Sequence, residues 1–479
     1  MNPTTLSSSW CEAENRRLFE QAAGDMSHPR YHFVPPAMWM NDVIGALESD
    51  GWYHLFYLHD PLQANGLSPA VMPSGLIIPG ENKPNRVWGH AVTRDFVHWE
   101  YLRPALTPRR DKGEIKVITG SCVVLPQGTP LILYTSVQED GSKAGQWVAL
   151  GDKAFMAFRQ QGTEPVIRRC QADAPCLDAG FRDPFLFYQN EMLYAVVAGV
   201  YEEERGKRAG VLLYHAQSND WHSWRYLGVL VSSPVADTPY YECPKLFPVY
   251  DRWMLVYSPY GPPRYLTGIL DAEHCRFDII HEGRVDETSK AYACVNLNGL
   301  NGQAYLMSWI PGWNSQKHPG QWWGGCLSIP RELFLDEQGA LKQRPVHQVE
   351  ALRAEPVQAH DGMLIQETGF YLSASSLHTG FRLEITSQQE LAFCMELDET
   401  GVSVNGEHLA VKPGGDFQLY WDVCVWEAFL NDGLYCVTGM LDDPIQTPRL
   451  VLKGEDVLYF SAVGSGSCCF NQANGYNTY

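Results

Sequence analysis

The chain has 479 residues, 45% of them hydrophobic, which is enough for a sizeable core and long for one domain. Its formal net charge of −19 repels phosphate backbones and anionic lipid, so nucleic acid and membrane are poor partners. No stretch approaches the ~20 apolar residues of a membrane span, and the 13 cysteines lack metal-type spacing.

The first 28 residues read as an arm with one short helix over 11–22. They lack a basic start followed by an apolar run, so no secretory signal is expected. Together with cysteines read as free thiols, this predicts a cytoplasmic protein. Self-similarity then runs to about Val346. Five segments repeat an apolar strand, a turn and a second strand: DVIGALESDGWYHLFY from Asp42, SCVVLPQGTPLILYT from Ser121, DPFLFYQNEMLYAVVA from Asp183, ECPKLFPVYDRWMLVY from Glu242 and ACVNLNGLNGQAYLMS from Ala293. Each is followed by further β-like sequence, including Asp95-Phe96-x-x-Trp99 and Asp220-Trp221-x-x-Trp224; after the second segment the stretch AFMAF plays that part. About four strands per unit, five times over, predicts an all-β, five-bladed β-propeller over residues 29–349. From 350 to 479 the pattern becomes short alternating strands, such as Val425–Leu430 before the turn Asn431-Asp432-Gly433. This predicts a C-terminal β-sandwich. Residues from Gly464 read as an irregular tail.

Asp42, Asp183 and Glu242 each open the first strand of a repeat, the strand that lines a propeller's axis. At a shared register they would converge on one end of the channel, and three like charges there need a function to keep them. A single Asp would more simply cap a turn. Paired carboxylates are the equipment of glycoside hydrolysis, one as nucleophile or stabiliser and one as proton donor. Glutamate has the higher reference pKa and longer reach, which makes Glu242 the candidate acid/base and leaves Asp42 and Asp183 as nucleophile and stabiliser. His32, His54, His59, His90 and His98 lack zinc-site spacing and read as structural.

At these residues the chain resembles glycoside hydrolase family 32, the invertase, inulinase and levanase group. The family's Trp-Met-Asn-Asp-Pro-Asn-Gly opening stands here as Trp39-Met40-Asn41-Asp42-Val43-Ile44-Gly45, its Arg-Asp-Pro motif as Arg182-Asp183-Pro184, and its Glu-Cys motif as Glu242-Cys243. Trp88-Gly89-His90, Ser328-Ile329-Pro330-Arg331-Glu332-Leu333 and Glu427-Ala428-Phe429-Leu430-Asn431-Asp432-Gly433 also match. The resemblance implies a retaining β-fructofuranosidase without metal or organic cofactor, with Asp42 as nucleophile, Glu242 as acid/base and Asp183 beside Arg182 as transition-state stabiliser. It further implies sugar contacts from Asn41, Trp88, Thr119 and Trp309. The chain departs from the family at Val43 and Ile44, at Leu58 in place of a sugar-binding glutamine, and at Lys245 in place of an acid after Glu-Cys-Pro. Leu58 and Lys245 are therefore expected to face the substrate and change it, with Ile44 giving an apolar pocket floor. The Pro-, Gly- and Asn-rich stretch from Leu62 to Arg86 is expected to form a loop at the mouth of the site. A fructosyltransferase and a non-catalytic carbohydrate-binding propeller are the competing readings; the second predicts loss of an acid, and all three are present.

Overall fold

The computed structural model of the chain describes residues 7–22, 24–61, 86–139, 145–169, 180–298, 302–311, 323–388, 390–445, 447–454, 456–461 and 467–470. Five sheets form the blades of a β-propeller, and two further sheets, of six and five strands, form a sandwich. The inner strands of blades 1 to 5 are Met38–Ser49, Glu114–Val124, Arg182–Gln189, Glu242–Val249 and Tyr292–Asn298. They contact one another in a closed ring around the axis. Local sequence sets the blade hairpins. Asp50 and Gly51 both take positive φ between Ser49 and Trp52, as the tight turn of a twisted hairpin requires. No helix among the described residues is long and apolar enough to cross a membrane.

Three details differ from the sequence reading. The stretch AFMAF is a turn leading into a short outer strand, Phe158–Gln160, and the third strand of blade 2 is Gly145–Gly151. The tail is not wholly irregular, because Ser467–Phe470 pairs in parallel with His98–Tyr101 on the outer edge of blade 1. The N-terminal helix, Ser8–Ala22, lies beside that strand, where Phe19 packs edge-on against Tyr101 and Phe470. The expected loop from Leu62 to Arg86 lies outside the described residues apart from Arg86 itself.

A buried polar network joins propeller and sandwich. His32 bonds Asp422 through Nδ1 at 2.8 Å and Glu427 through Nε2 at 3.0 Å. Arg331 of blade 5 donates to Glu427 Oε2 at 2.5 Å and to Asp286 Oδ2 at 3.3 Å. Asp422 also accepts the backbone N–H groups of Arg30, Tyr31 and His32, and Glu427 that of Ile329. Burial opposes charge on His32, but the bonds to Asp422 and Glu427 outweigh it and lift its pKa to about 9. Against the same burial, His32 and Arg331 hold Asp422 and Glu427 below the usual carboxylate range. His32 is thus structural, as its sequence setting suggested.

Candidate active site

All five inner strands carry an irregularity at the same point. Pairing jumps from Met40 to Val43 in blade 1, from Val117 to Gly120 in blade 2, and from Arg182 to Phe185 in blade 3. It jumps from Glu242 to Lys245 in blade 4 and from Tyr292 to Val295 in blade 5. In each case two residues oppose one, which bends the strand and re-aims its side chains. Three of these corners place a non-glycine residue at positive φ, Asp183 at 63°, Cys243 at 51° and Ala293 at 44°. Such conformations cost on the order of 1–3 kcal/mol each. The surroundings hold them by capping the corner N–H from the preceding blade. Asp183 N–H donates to Thr135 Oγ1 at 3.1 Å, Cys243 N–H to Asp183 Oδ2 at 3.0 Å, and Ala293 N–H to Ser258 Oγ at 3.0 Å.

This corner brings the three acids together, but not at one register. Glu242 precedes its bulge, Asp183 is the first bulged residue and Asp42 the second. The shared register expected from sequence is corrected to three successive positions of one bent corner. The acids meet around Cys243, whose N–H bonds Asp183 and whose thiol donates to Asp42 Oδ2 at 3.5 Å.

Each acid has a different environment. Burial lifts Asp42 to about 6, with the charges of Asp183 and Glu242 adding to the rise and Arg86 and the Cys243 bond opposing it. Thr119 donates to Asp42 Oδ2 at 3.2 Å. Burial also raises Asp183, although the Arg182 guanidinium, 3.5 Å from its Oδ2, pulls the other way. Glu242 is gripped at both oxygens, by Arg182 Nη2 on Oε1 at 2.6 Å and by the Tyr292 hydroxyl on Oε2 at 2.5 Å. Arg182 lies over the Tyr240 ring at 4.2 Å and donates to the Tyr260 hydroxyl at 3.0 Å. Tyr260 stacks on Tyr240 and is 61% exposed, an aromatic surface on the rim beside Glu242.

The other expected contacts divide. Arg182 and Thr119 touch the acids directly. Asn41 adjoins Asp42, and its Oδ1 is buried without a hydrogen-bond partner. Trp309 is half-buried and donates from Nε1 to the Met40 carbonyl at 3.1 Å, bracing the blade 1 corner. Trp88 is fully buried and donates to the Ile118 carbonyl at 3.0 Å, so it supports Thr119 from behind. Leu58 and Ile44 are corrected: with exposures of 1% and 0% they pack with Trp88, Ile132 and Tyr134 between blades 1 and 2. They offer no apolar pocket floor to a sugar. Lys245 is corrected as well, because it is 0% exposed and cannot present its ammonium to substrate.

The sequence reading missed Tyr292, Cys243 and Arg86. Tyr292 had a signal, since it occupies in blade 5 the place that Arg182 and Glu242 occupy in theirs. Taking the fifth repeat from Ala293 hid it by one residue. Arg86 reaches the site only through folding, its guanidinium 5.1 Å over the Trp39 ring and its charge acting on Asp42.

Comparison with known proteins adds a lineage to this geometry. The model of the "Glycosyl hydrolases family 32 N-terminal domain" matches residues 32–70 and 76–345. A sucrose-6-phosphate hydrolase of Escherichia coli is 25% identical over 449 residues, covering 86% of this chain and 88% of its own. A raffinose invertase of Escherichia coli is 25% identical, covering 91% of this chain and 87% of its own. Among solved structures, the GH32 beta-fructofuranosidase of Bombyx mori superposes with a TM-score of 0.78 at 22% identity, over 96% of this chain and 99% of that one. This last likeness speaks for the shared propeller-and-sandwich fold.

Proposed function

The chain belongs to glycosyl hydrolases family 32, and on that premise we propose that it hydrolyses β-fructofuranosides with retention of configuration. The observation that carries the reading is the meeting of three carboxylates from blades 1, 3 and 4 around Cys243. Each has surroundings suited to a different task. Asp42 has no arginine bonded to it among the described residues and attacks the anomeric carbon as its carboxylate, forming a fructosyl ester. Glu242 gives its proton to the leaving oxygen, then takes one from the water that opens the ester. Arg182 and Tyr292 fix the aim of Glu242. Asp183, tied to Arg182 and to the Cys243 N–H, binds sugar hydroxyls and stabilises the transition state. Asn41, Thr119 and Trp309 complete the sugar contacts. The catalytic unit is the propeller, residues 29–349, with residues 350–479 as sandwich and 1–28 as arm. All described cysteines are free thiols, which supports a reducing, cytoplasmic setting testable by fractionation.

The test is a panel of sucrose, inulin, levan, short fructo-oligosaccharides and aryl furanosides with product identification. Release of fructose from at least one of them is expected. Glu242→Ala should lose far less kcat/KM on an activated aryl leaving group than on sucrose, and azide should then partly restore turnover and give a β-configured fructosyl azide. An α-configured adduct, or an exchange of these behaviours with Asp42→Ala, would reverse or sink the roles.

A further inference from the structure

The second and third strands of blade 4, Arg252–Ser258 and Arg264–Asp271, are joined by the loop Pro259-Tyr260-Gly261-Pro262-Pro263. Glu242 pairs with Ser258, so this loop leaves the sheet beside the acid/base. Its three prolines stiffen it by fixing their own φ, and the Pro263 carbonyl accepts the Val285 N–H at 2.8 Å. Within it Tyr260 stands at a φ of 61°, a region that bulky side chains rarely enter. Gly261, which could take that conformation freely, follows it at an ordinary φ. The loop thus places its strain on the tyrosine, and the result is a ring that is 61% exposed. That ring lies nearly parallel to Tyr240, with 5.9 Å between centroids. Tyr240 is a fixed base: it is buried, bonded through its hydroxyl to the Gly180 carbonyl, and covered by the Arg182 guanidinium at 4.2 Å. Arg182 Nη2 donates both to the Tyr260 hydroxyl at 3.0 Å and to Glu242 Oε1 at 2.6 Å. The exposed ring and the acid/base therefore share one nitrogen atom.

The proton donor of a glycosidase faces the leaving oxygen, so a ring tied to the same nitrogen as Glu242 lies on the leaving-group side. An aromatic face is apolar and electron-rich, which suits the C–H face of a sugar ring; a methyl group covers little of it. We propose that Tyr260 is the specificity-determining wall of a leaving-group subsite, on which the sugar beyond the scissile bond stacks. The proposal rests on the reading of Glu242 as acid/base and names the substrate class of that site: fructosides whose leaving group is itself a sugar, in preference to those with a small alkyl group. The strained φ then has a use, since it holds the ring exposed beside Glu242 instead of packed into the blade. The two parts of the side chain have separate tasks. The ring stacks, and the hydroxyl helps to hold Arg182 in place.

Tyr260→Ala and Tyr260→Asn both remove the ring, and asparagine tolerates the positive φ. Tyr260→Phe keeps the ring and loses the hydroxyl. Thermal melts confirm that each variant is folded. The measurement is kcat/KM on sucrose and on a short fructo-oligosaccharide, each divided by kcat/KM on methyl β-fructofuranoside. Removing the ring should lower that ratio by about three- to tenfold, the worth of an aromatic contact, while the phenylalanine variant should stay within about twofold of wild type. The loss should appear mainly in KM for the sugar-leaving substrates, as expected of a lost binding contact. A ratio unmoved in both ringless variants would overturn the proposal, including the case of an equal loss on all three substrates, which would mean that the tyrosine acts only through Arg182. A fall in the phenylalanine variant as deep as in the other two would assign the effect to the hydroxyl and overturn it as well. Should the wild type cleave no fructoside, the proposed activity falls and the subsite with it; wild-type cleavage with an unmoved ratio in the variants sinks the subsite alone.

Discussion

The molecule gathers three carboxylates twice, and Asp422 and Glu427 of one cluster behave oppositely to Asp42 and Asp183 of the other, while burial raises Asp286 at the seam as well. At the seam between propeller and sandwich, Asp422, Glu427 and Asp286 surround His32 and Arg331 at bonding distance. There Asp422 and Glu427 are driven below their ordinary values. At the propeller axis, Asp42 and Asp183 are driven above theirs. Burial is common to both, so it does not decide the outcome. The difference follows the bonded cations: His32 and Arg331 hydrogen-bond Asp422 and Glu427, whereas Asp42 accepts from the Thr119 hydroxyl and the Cys243 thiol. At the seam, Asp422 and Glu427 are held charged by their partners and join two units; at the axis, Asp42 and Asp183 are less fully compensated, which keeps a carboxyl reactive at moderate pH.

The sharpest way to break this contrast is to remove one acid from each cluster. Asp42→Ala and Glu242→Ala are each expected to cut kcat by about 10²–10⁴-fold or more on an unactivated substrate, without lowering the melting temperature. Retention of a hundredth of the wild-type rate or better would end the assignment. Asp42→Asn sharpens the point. Because the folded state raises the Asp42 pKa, its ionised form opposes folding above about pH 6 and not below the ordinary carboxylate range. The variant should therefore melt higher than wild type at pH 8 and show no such gain at pH 4.

Glu427→Ala belongs to the other cluster and should do the reverse. It strands His32 and Arg331 in the interior, a loss of about 3–5 kcal/mol of stability, while turnover per folded molecule stays near wild type. Chemical denaturation and active-site titration together measure both. A smaller effect follows from His32 alone. Its folded pKa is raised to about 9, so its contribution, on the order of 3 kcal/mol, is fully present below about pH 6.5 and is lost as pH rises through 9. The lowered Asp422 and Glu427 contribute above their ordinary range and lose that as pH falls through their depressed values. The melting temperature should thus fall between about pH 6.5 and pH 9 in wild type, and that fall should flatten in His32→Gln. The smallest effect expected is at Tyr292. Removing its bond to Glu242 with Tyr292→Phe costs about 0.5–1.5 kcal/mol, a several-fold loss in kcat/KM.

Much of this was legible in the chain. The repeats predict the blades because each must alternate buried and exposed faces and turn tightly, and the acids at the strand starts mark the axis. What stayed hidden has one main cause. A bulge breaks the period-two alternation at the very corner where the chemistry sits, and the family resemblance, carried over position by position, placed Leu58, Ile44 and Lys245 toward the substrate, whereas all three are buried in the protein. The seam was hidden for another reason. His32 and Asp422 are separated by 390 residues, and nothing local to either announces the other. Glu427 was visible as part of a motif, but its partners Arg331 and His32 came only with the fold.

The parallel pairing of Ser467–Phe470 with His98–Tyr101 has a consequence for the order of events during synthesis. Blade 1 precedes the other four blades in chain order and is completed after them. Its inner strand also waits for Trp323–Gly324, which pairs with Met38–Trp39. Until residue 470 is made, His98–Tyr101 lacks the strand that pairs with its outer edge, a template for pairing with another chain. The nascent chain therefore carries an open edge at the blade that bears Asp42 until the segment Ser467–Phe470 is made.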